Sequence, residues 1–152
     1  MFNKDLTKRY KDAHDVKSRE VTEDDIPRVI LEAEVLRKLC FMPIGIKSGG
    51  YAVAHQQITD KDPLRFFVKK SGEIVINPIV LYGSAKIINS SEGCLSFPNL
   101  EDVNVRRHKE CIVEYQTIED GKLTEAKKKD ASGRDSKIFQ HEIDHFECKY
   151  IY

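Results

Sequence analysis

The chain has 152 residues, 40% of them hydrophobic and 33% charged, which suits one domain with a core of its own. Its 25 Lys and Arg balance 25 Asp and Glu, so no basic excess marks it as a general polyanion binder. No apolar run nears the roughly 18 residues of a membrane span, and the opening Met-Phe-Asn-Lys-Asp-Leu holds no signal-type apolar stretch. The expectation is a single cytoplasmic domain over residues 1–152, in contact with neither membrane nor nucleic acid.

Residues 1–20 are polar and weakly patterned and read as a loosely held arm. Thr22-Glu23-Asp24-Asp25 then leads into Ile26, Val29, Ile30, Ala33, Leu36 and Leu39 at helical spacing. Acidic residues lie in the first turn, Pro27 sits where an early proline is tolerated, and Arg37 and Lys38 lie near the end. This predicts a helix over about 24–41. Pro43, Gly45, Gly49 and Gly50 read as a loop.

Short segments at 52–54, 64–68, 74–76 and 86–88, bounded by Gly, Pro, Asn or Asp, read as strands. Cys111, Val113 and Tyr115 alternate with polar residues in a further half-buried strand, ended by Asp120-Gly121. Residues 121–135 are dominated by charge and read as a solvated connection. Ile138, Phe139, Ile143 and Phe146 predict a second helix over 136–150. Short strands joined by tight turns imply an α+β fold: mixed or antiparallel sheets packed around this last helix, with the 24–41 helix outside.

His141-Glu142-Ile143-Asp144-His145 matches His-Glu-x-x-His. On a helix the two histidines lie one turn apart on one face and can grip one metal ion, while Glu142 can reach a water on that ion as general base. Only seven residues follow His145, and none offers the Glu or His that zinc proteases of this pattern use as third ligand. Cys148 lies about 10 Å along the axis from His141, too far for one ion to bind comfortably, and reads as a packing residue. Of the four cysteines, at 40, 94, 111 and 148, none forms a CxxC pair, so reduced thiols are expected. Cys40 and Cys111 belong to apolar faces. Cys94 follows a β-type segment and a glycine, in Glu92-Gly93-Cys94-Leu95-Ser96, and is the preferred third ligand.

Glu92-Gly93-Cys94-Leu95-Ser96 and Gln140-His141-Glu142-Ile143-Asp144-His145 together resemble the peptide deformylase family, with its EGCLS and QHExDH motifs. Gly50-Tyr51-Ala52-Val53-Ala54-His55-Gln56-Gln57 corresponds to the family's GxGLAAxQ. Ala52 stands at the second glycine, Val53 at the leucine and His55 at the second alanine. Gln57 fits the final position better than Gln56, and on an extended segment alternation would send the Gln56 side chain to the opposite face. Ile76-Asn77-Pro78 and Val105-Arg106-Arg107 resemble two further family elements. The chain stops at Tyr152 and so resembles the short forms without a long C-terminal helix.

The resemblance implies a hydrolase that removes the formyl group from formyl-methionyl peptides or nascent chains at the ribosome, as a monomer. It implies one divalent metal per chain, Fe(II) by expectation, with Zn, Ni or Co as alternatives, on Cys94, His141 and His145. Glu142 would serve as base and then acid, and Gln57 and the Leu95 N–H as oxyanion donors. Gly50, Ala52 and Gly93 would meet substrate, and Glu92, Arg107, Gln140 and Asp144 would support the ligands. His55 is read as structural or substrate-facing, and His14 and His108 as surface residues. Two other readings stand beside this one: a metal-dependent peptidase, and a non-catalytic deformylase-like binding protein.

Overall fold

The computed structural model describes residues 16–152. The reading of an N-terminal arm falls mostly on residues 1–15 and, with His14, lies outside the described residues. Residues 18 and 19 depart from that reading. The Ser18 N–H donates to the Phe146 carbonyl, and Arg19 bridges to Leu64, so this stretch is stitched to the fold.

After a 3-10 turn at Glu23–Asp25, helix α1 spans Ile26–Leu39. Strands β1 (Ala52–Ala54), β2 (Phe66–Lys69) and β3 (Ile74–Gly83) follow, with a 3-10 turn at His55–Gln57 between the first two. Then come β4 (Ile87–Glu92), β5 (Val103–His108), β6 (Glu110–Gln116), a small hairpin of β7 (Ile118–Glu119) and β8 (Lys122–Leu123), β9 (Lys127–Ser132) and helix α2 (Gly133–Phe146). The main sheet runs β1-β2-β3-β6-β9 and is antiparallel throughout, while β4 and β5 pair as a separate ribbon.

The sheet has a helix on each face, and alternation along β2 sends side chains to both. Phe66 and Val68 join Val29, Leu36 and Leu39 of α1 in one apolar cluster. Phe67 joins Phe139 and Phe146 of α2 in the other, its ring edge-on to Phe139 at 5.5 Å. All three β2 side chains are fully enclosed. This double burial explains an unbroken apolar run in so short a strand.

Three expectations are corrected. Residues 121–135 are not a solvated connection: Lys127–Ser132 forms β9, an edge strand in full register with β6 from Glu110↔Ser132 to Tyr115↔Lys127. The last helix starts at Gly133 rather than 136 and stops at Phe146, before Cys148, whose φ is +56°. His108 is half-buried rather than a free surface residue, its Nδ1 lying 2.7 Å from the Ser84 carbonyl. No helix among the described residues is long and apolar enough to cross a membrane.

A candidate metal centre and its cavity

Helix α2 presents His141 and His145 on one face, and packing of Phe139 and Phe146 against the sheet fixes that face's direction. The ribbon supplies the third group. β4 ends at Glu92, and the chain turns through Gly93 to bring Cys94 against the helix. A β-carbon on Gly93 would lie 2.4 Å from Asp102 Oδ1 and 2.7 Å from Lys47 Nζ, inside the ion pair that ties this loop to the 45–50 loop. Glycine leaves the room that this ion pair occupies, and a larger residue would push the two side-chain ends aside.

Cys94 Sγ lies 3.4 Å from His145 Nε2, and the two Nε2 atoms lie 3.3 Å apart. A tetrahedral ion with bonds of about 2.0–2.3 Å has ligand–ligand edges of about 3.3–3.6 Å, so the three donors fit a single metal ion. Among the described residues this is the group of His, Cys and acidic side chains close enough to hold one. Burial alone would raise the Cys94 thiol, but the His145 and His141 imidazoles outweigh it and pull the thiol well below its ordinary value. Burial lowers His141, but Cys94 and Glu92 outweigh that and push it up to about 10.

The surrounding bonds orient these ligands. His141 Nδ1 lies 2.9 Å from Glu92 Oε1, so its Nδ1–H donates to the carboxylate and Nε2 turns to the centre. Arg107 grips Glu92 through Nε at 2.9 Å and Nη2 at 2.8 Å, and its Nη1 reaches Asp144 at 2.8 Å. Burial would raise Glu92, yet His141 and Arg107 hold it down at about 2. Gln140 lies outside this chain of bonds. Its Oε1 accepts the His108 N–H and its Nε2 donates to the His108 carbonyl, clamping α2 onto β5.

Glu142 is 4% exposed and lines the cavity, and its buried Oε2 has no hydrogen-bond partner among the described residues. Burial raises its pKa against the pull of both histidines. A buried carboxyl with an unpartnered oxygen beside three candidate metal donors is poised to exchange a proton with a water or substrate.

Gln57 is also brought here, by a different local structure from the extended segment that would place Gln56 on the opposite face by alternation. His55–Gln57 is a 3-10 turn. Gln57 Oε1 accepts the Ala54 N–H at 2.8 Å, which fixes the amide so that Nε2 faces Ser96 Oγ at 2.9 Å and Cys94 Sγ at 3.8 Å. Gln56 leaves in another direction, donating to the Tyr150 hydroxyl at 2.8 Å. His55 is fully buried and structural. Its Nδ1 accepts the Leu64 N–H, so its Nε2–H donates to Glu32, and the ring stacks on Phe66. Cys148 sits beside Gln56, away from the centre, and Cys40 and Cys111 lie in the two apolar clusters.

A cavity of about 760 Å³ opens over the centre. Gly50, Ala52, Gly93 and Leu95 line it, together with Gln57, Cys94, His141 and Glu142. Ser96 and Tyr51 are participants that sequence reasoning passed over. Both stood in motif stretches already in view, Ser96 two residues after Cys94 and Tyr51 directly after Gly50, with no chemical signal to single them out.

The fold and the donor set define a Cys-His-His metal-centre protein of the His-Glu-x-x-His class. Comparison with known proteins narrows this. The family model described as polypeptide deformylase matches residues 5–152. A peptide deformylase of Thermotoga neapolitana is 39% identical over 84 residues, which cover 53% of this chain and 48% of that protein. One from Thermus thermophilus is 36% identical over 89 residues, covering 58% and 43%. These alignments thus span about half the length of either curated relative. The crystal structure of the Thermotoga maritima peptide deformylase superposes with a TM-score of 0.75 at 27% identity, over 91% of this chain and 88% of that one. The Plasmodium falciparum peptide deformylase, in complex with an inhibitor, gives 0.71 at 27% identity, over 90% and 79%. The chain belongs to the polypeptide deformylase family. That family is metal-dependent, in keeping with the Cys-His-His group.

Proposed function

We propose that this chain, as one catalytic domain over residues 1–152, hydrolyses the formyl group from formyl-methionyl peptides and releases formate. The observation that carries this reading is the buried Glu142 carboxyl, its Oε2 without a hydrogen-bond partner among the described residues, facing a cavity beside Cys94, His141 and His145. A divalent ion on those three donors would supply Lewis-acid polarisation and a water of lowered pKa; Fe(II) is the expected ion, with Zn, Ni and Co able to bind the same set.

Glu142 takes the proton from the attacking water and delivers it to the departing amine. The Gln57 amide, held by the Ala54 N–H, and the Leu95 backbone N–H donate to the oxygen that gains charge on the formyl group. Glu92 holds His141 in the tautomer that leaves Nε2 free as a donor, and Arg107 holds Glu92, with Asp144 on its other arm. Gly50, Ala52 and Gly93 form walls without bulk, along which an extended peptide backbone can lie. Nascent chains at the ribosome are the natural substrates, and the protein acts as a cytoplasmic monomer without direct nucleic-acid contact.

The test is formate release from a formyl-Met tripeptide by the metal-loaded protein, beside its Glu142→Gln variant. Turnover by the parent, with a loss of at least about 100-fold in the variant at equal metal content, is the expected result. Cleavage of an internal peptide bond, or metal binding with no formate released, would overturn it.

A further inference from the structure

Resting on that reading, we infer that this cavity selects formyl peptides carrying a carboxylate side chain at the second or third residue. Arg134, Lys137 and Lys70 form a cationic rim for it. All three line the cavity. Arg134, Lys137 and His141 follow one another at intervals of three and four along α2, so they share the face that bears the metal ligand. Tyr51 brings the third cation to the same edge. The Arg134 guanidinium lies over its ring, 4.3 Å from the centroid; the Lys70 backbone N–H donates to its carbonyl at 2.8 Å, and the Lys70 ammonium rests over the Phe41 ring, 4.9 Å from the centroid.

Among the described residues no carboxylate neutralises this rim. Among the described residues none of the three cations forms an ion pair, although 33% of the chain is charged and the charges balance. Asp135, between two of them in sequence, is turned to the sheet and held by Lys69 at 2.8 Å and Lys129 at 2.9 Å. The other acids of the cavity are committed elsewhere or lie apart. Glu92 is gripped by Arg107, Asp102 by Lys47, Glu142 is beside the metal donors, and Glu101 is in the loop that carries Asp102. The N-terminal end of the 14-residue helix α2 adds its partial positive charge at the same edge. A rim of unneutralised cations costs self-repulsion that a bound anion relieves.

Distance sets the position along the peptide. Lys137 and Arg134 lie four and seven residues before His141, about 6 and about 10 Å along the helix axis. An extended peptide advances about 3.4 Å per residue, so one that runs back along α2 with its formyl group at the centre carries its second and third residues over that interval. Glu or Asp there meets two cations and, within side-chain reach, the third.

The experiment compares kcat/KM for C-terminally amidated formyl-Met-Xaa-Xaa peptides with Xaa as Glu, Gln or Lys, on the metal-loaded protein. The formyl group and the amide leave both termini uncharged, so the Xaa side chains carry the only charges on the peptides. Glu is expected to exceed Gln by about 3- to 10-fold, as suits partly exposed pairs, with Lys below Gln. Raising salt from about 0.05 to about 0.5 M should erase most of the difference in the unaltered protein, which keeps the test independent of any variant's folding. In Arg134→Glu/Lys137→Glu the order should invert, with Lys preferred, an outcome that a merely structural role for these residues would not produce. Equal values for the three peptides, or an order unmoved by the charge reversal, would overturn the inference while leaving deformylation standing. Failure to release formate from any of them would overturn the reading beneath it.

Discussion

His141 Nδ1 lies 2.9 Å from Glu92 Oε1, and this contact joins the helix of the candidate metal centre to the ribbon that leads to Cys94. The bond fixes the His141 ring and its tautomer, and Arg107 fixes the carboxylate in turn, so the ligand geometry is already set before an ion arrives. Glu92→Gln keeps the shape and removes the charge. Metal affinity is expected to fall by about 10- to 100-fold, read from competition titration with a chelating indicator. An unchanged affinity would mean that the packing of α2 alone holds the ring.

Cys94 should prove to be the ligand cysteine. Cys94→Ser is expected to lose most of the bound metal or change which ion is retained, since a hydroxyl is a much poorer donor than a thiolate for a soft site. Cys148→Ser, beside Gln56 rather than at the centre, should keep full occupancy by elemental analysis. The reverse pattern would reassign the third ligand.

The two adjacent glutamines should differ in kind. Gln57→Ala is expected to lower kcat by about 10²–10³ with metal content unchanged, the usual cost of removing one oxyanion donor. Gln56→Ala removes a buried bond to Tyr150. It should therefore lower the melting temperature more than it lowers kcat. Steady-state kinetics and thermal melting on both variants check this, and exchanged phenotypes would refute the assignment of Gln57.

A pH-dependent contribution to stability should come from Asp25, far from the cavity. Its carboxylate accepts both Arg19 Nη1 and Nη2 at 2.9 Å and the Thr22 N–H at 2.8 Å, closing the turn before α1. The Arg19 bonds hold it well below the usual carboxylate range. Its unfolded pKa is about 3.9, so the stabilisation is fully present above that value and is lost as pH falls toward the depressed folded one. Asp25→Asn is expected to cost about 1 kcal/mol at pH 7, with the gap to the parent closing below about pH 4 in denaturant titrations. A gap that stays constant down to pH 2 would show that the amide loses shape complementarity rather than charge.

Much of the site could be read before any fold was known, because local geometry carries it. His141 and His145 share a face by helical spacing alone, Glu142 follows from the same pattern, and the glycine before Cys94 marks a close approach. Helix α1 was likewise legible: apolar positions 26, 29, 33, 36 and 39 are buried and its first-turn proline is in place, whereas Ile30, read as part of the same face, is 47% exposed. These features depend on residues a few positions apart.

Tertiary structure decided what local propensity could not. Lys127-Lys128-Lys129-Asp130 has poor strand propensity, and it becomes β9 because β6 offers an open row of backbone partners and an edge strand can leave its lysines in solvent. Cys94 meets a helix nearly fifty residues further on only because the β4–β5 ribbon folds its loop against α2. The amide of Gln57 turns inward through a 3-10 turn held by the Ala54 N–H, where alternation along an extended chain had been expected to separate it from Gln56. The same principle makes a rim of Arg134, Lys137 and Lys70: a charge run reads as solvated surface until the fold shows which carboxylates are already taken. Short-range periodicity determines which face a residue occupies, and long-range packing determines what that face meets.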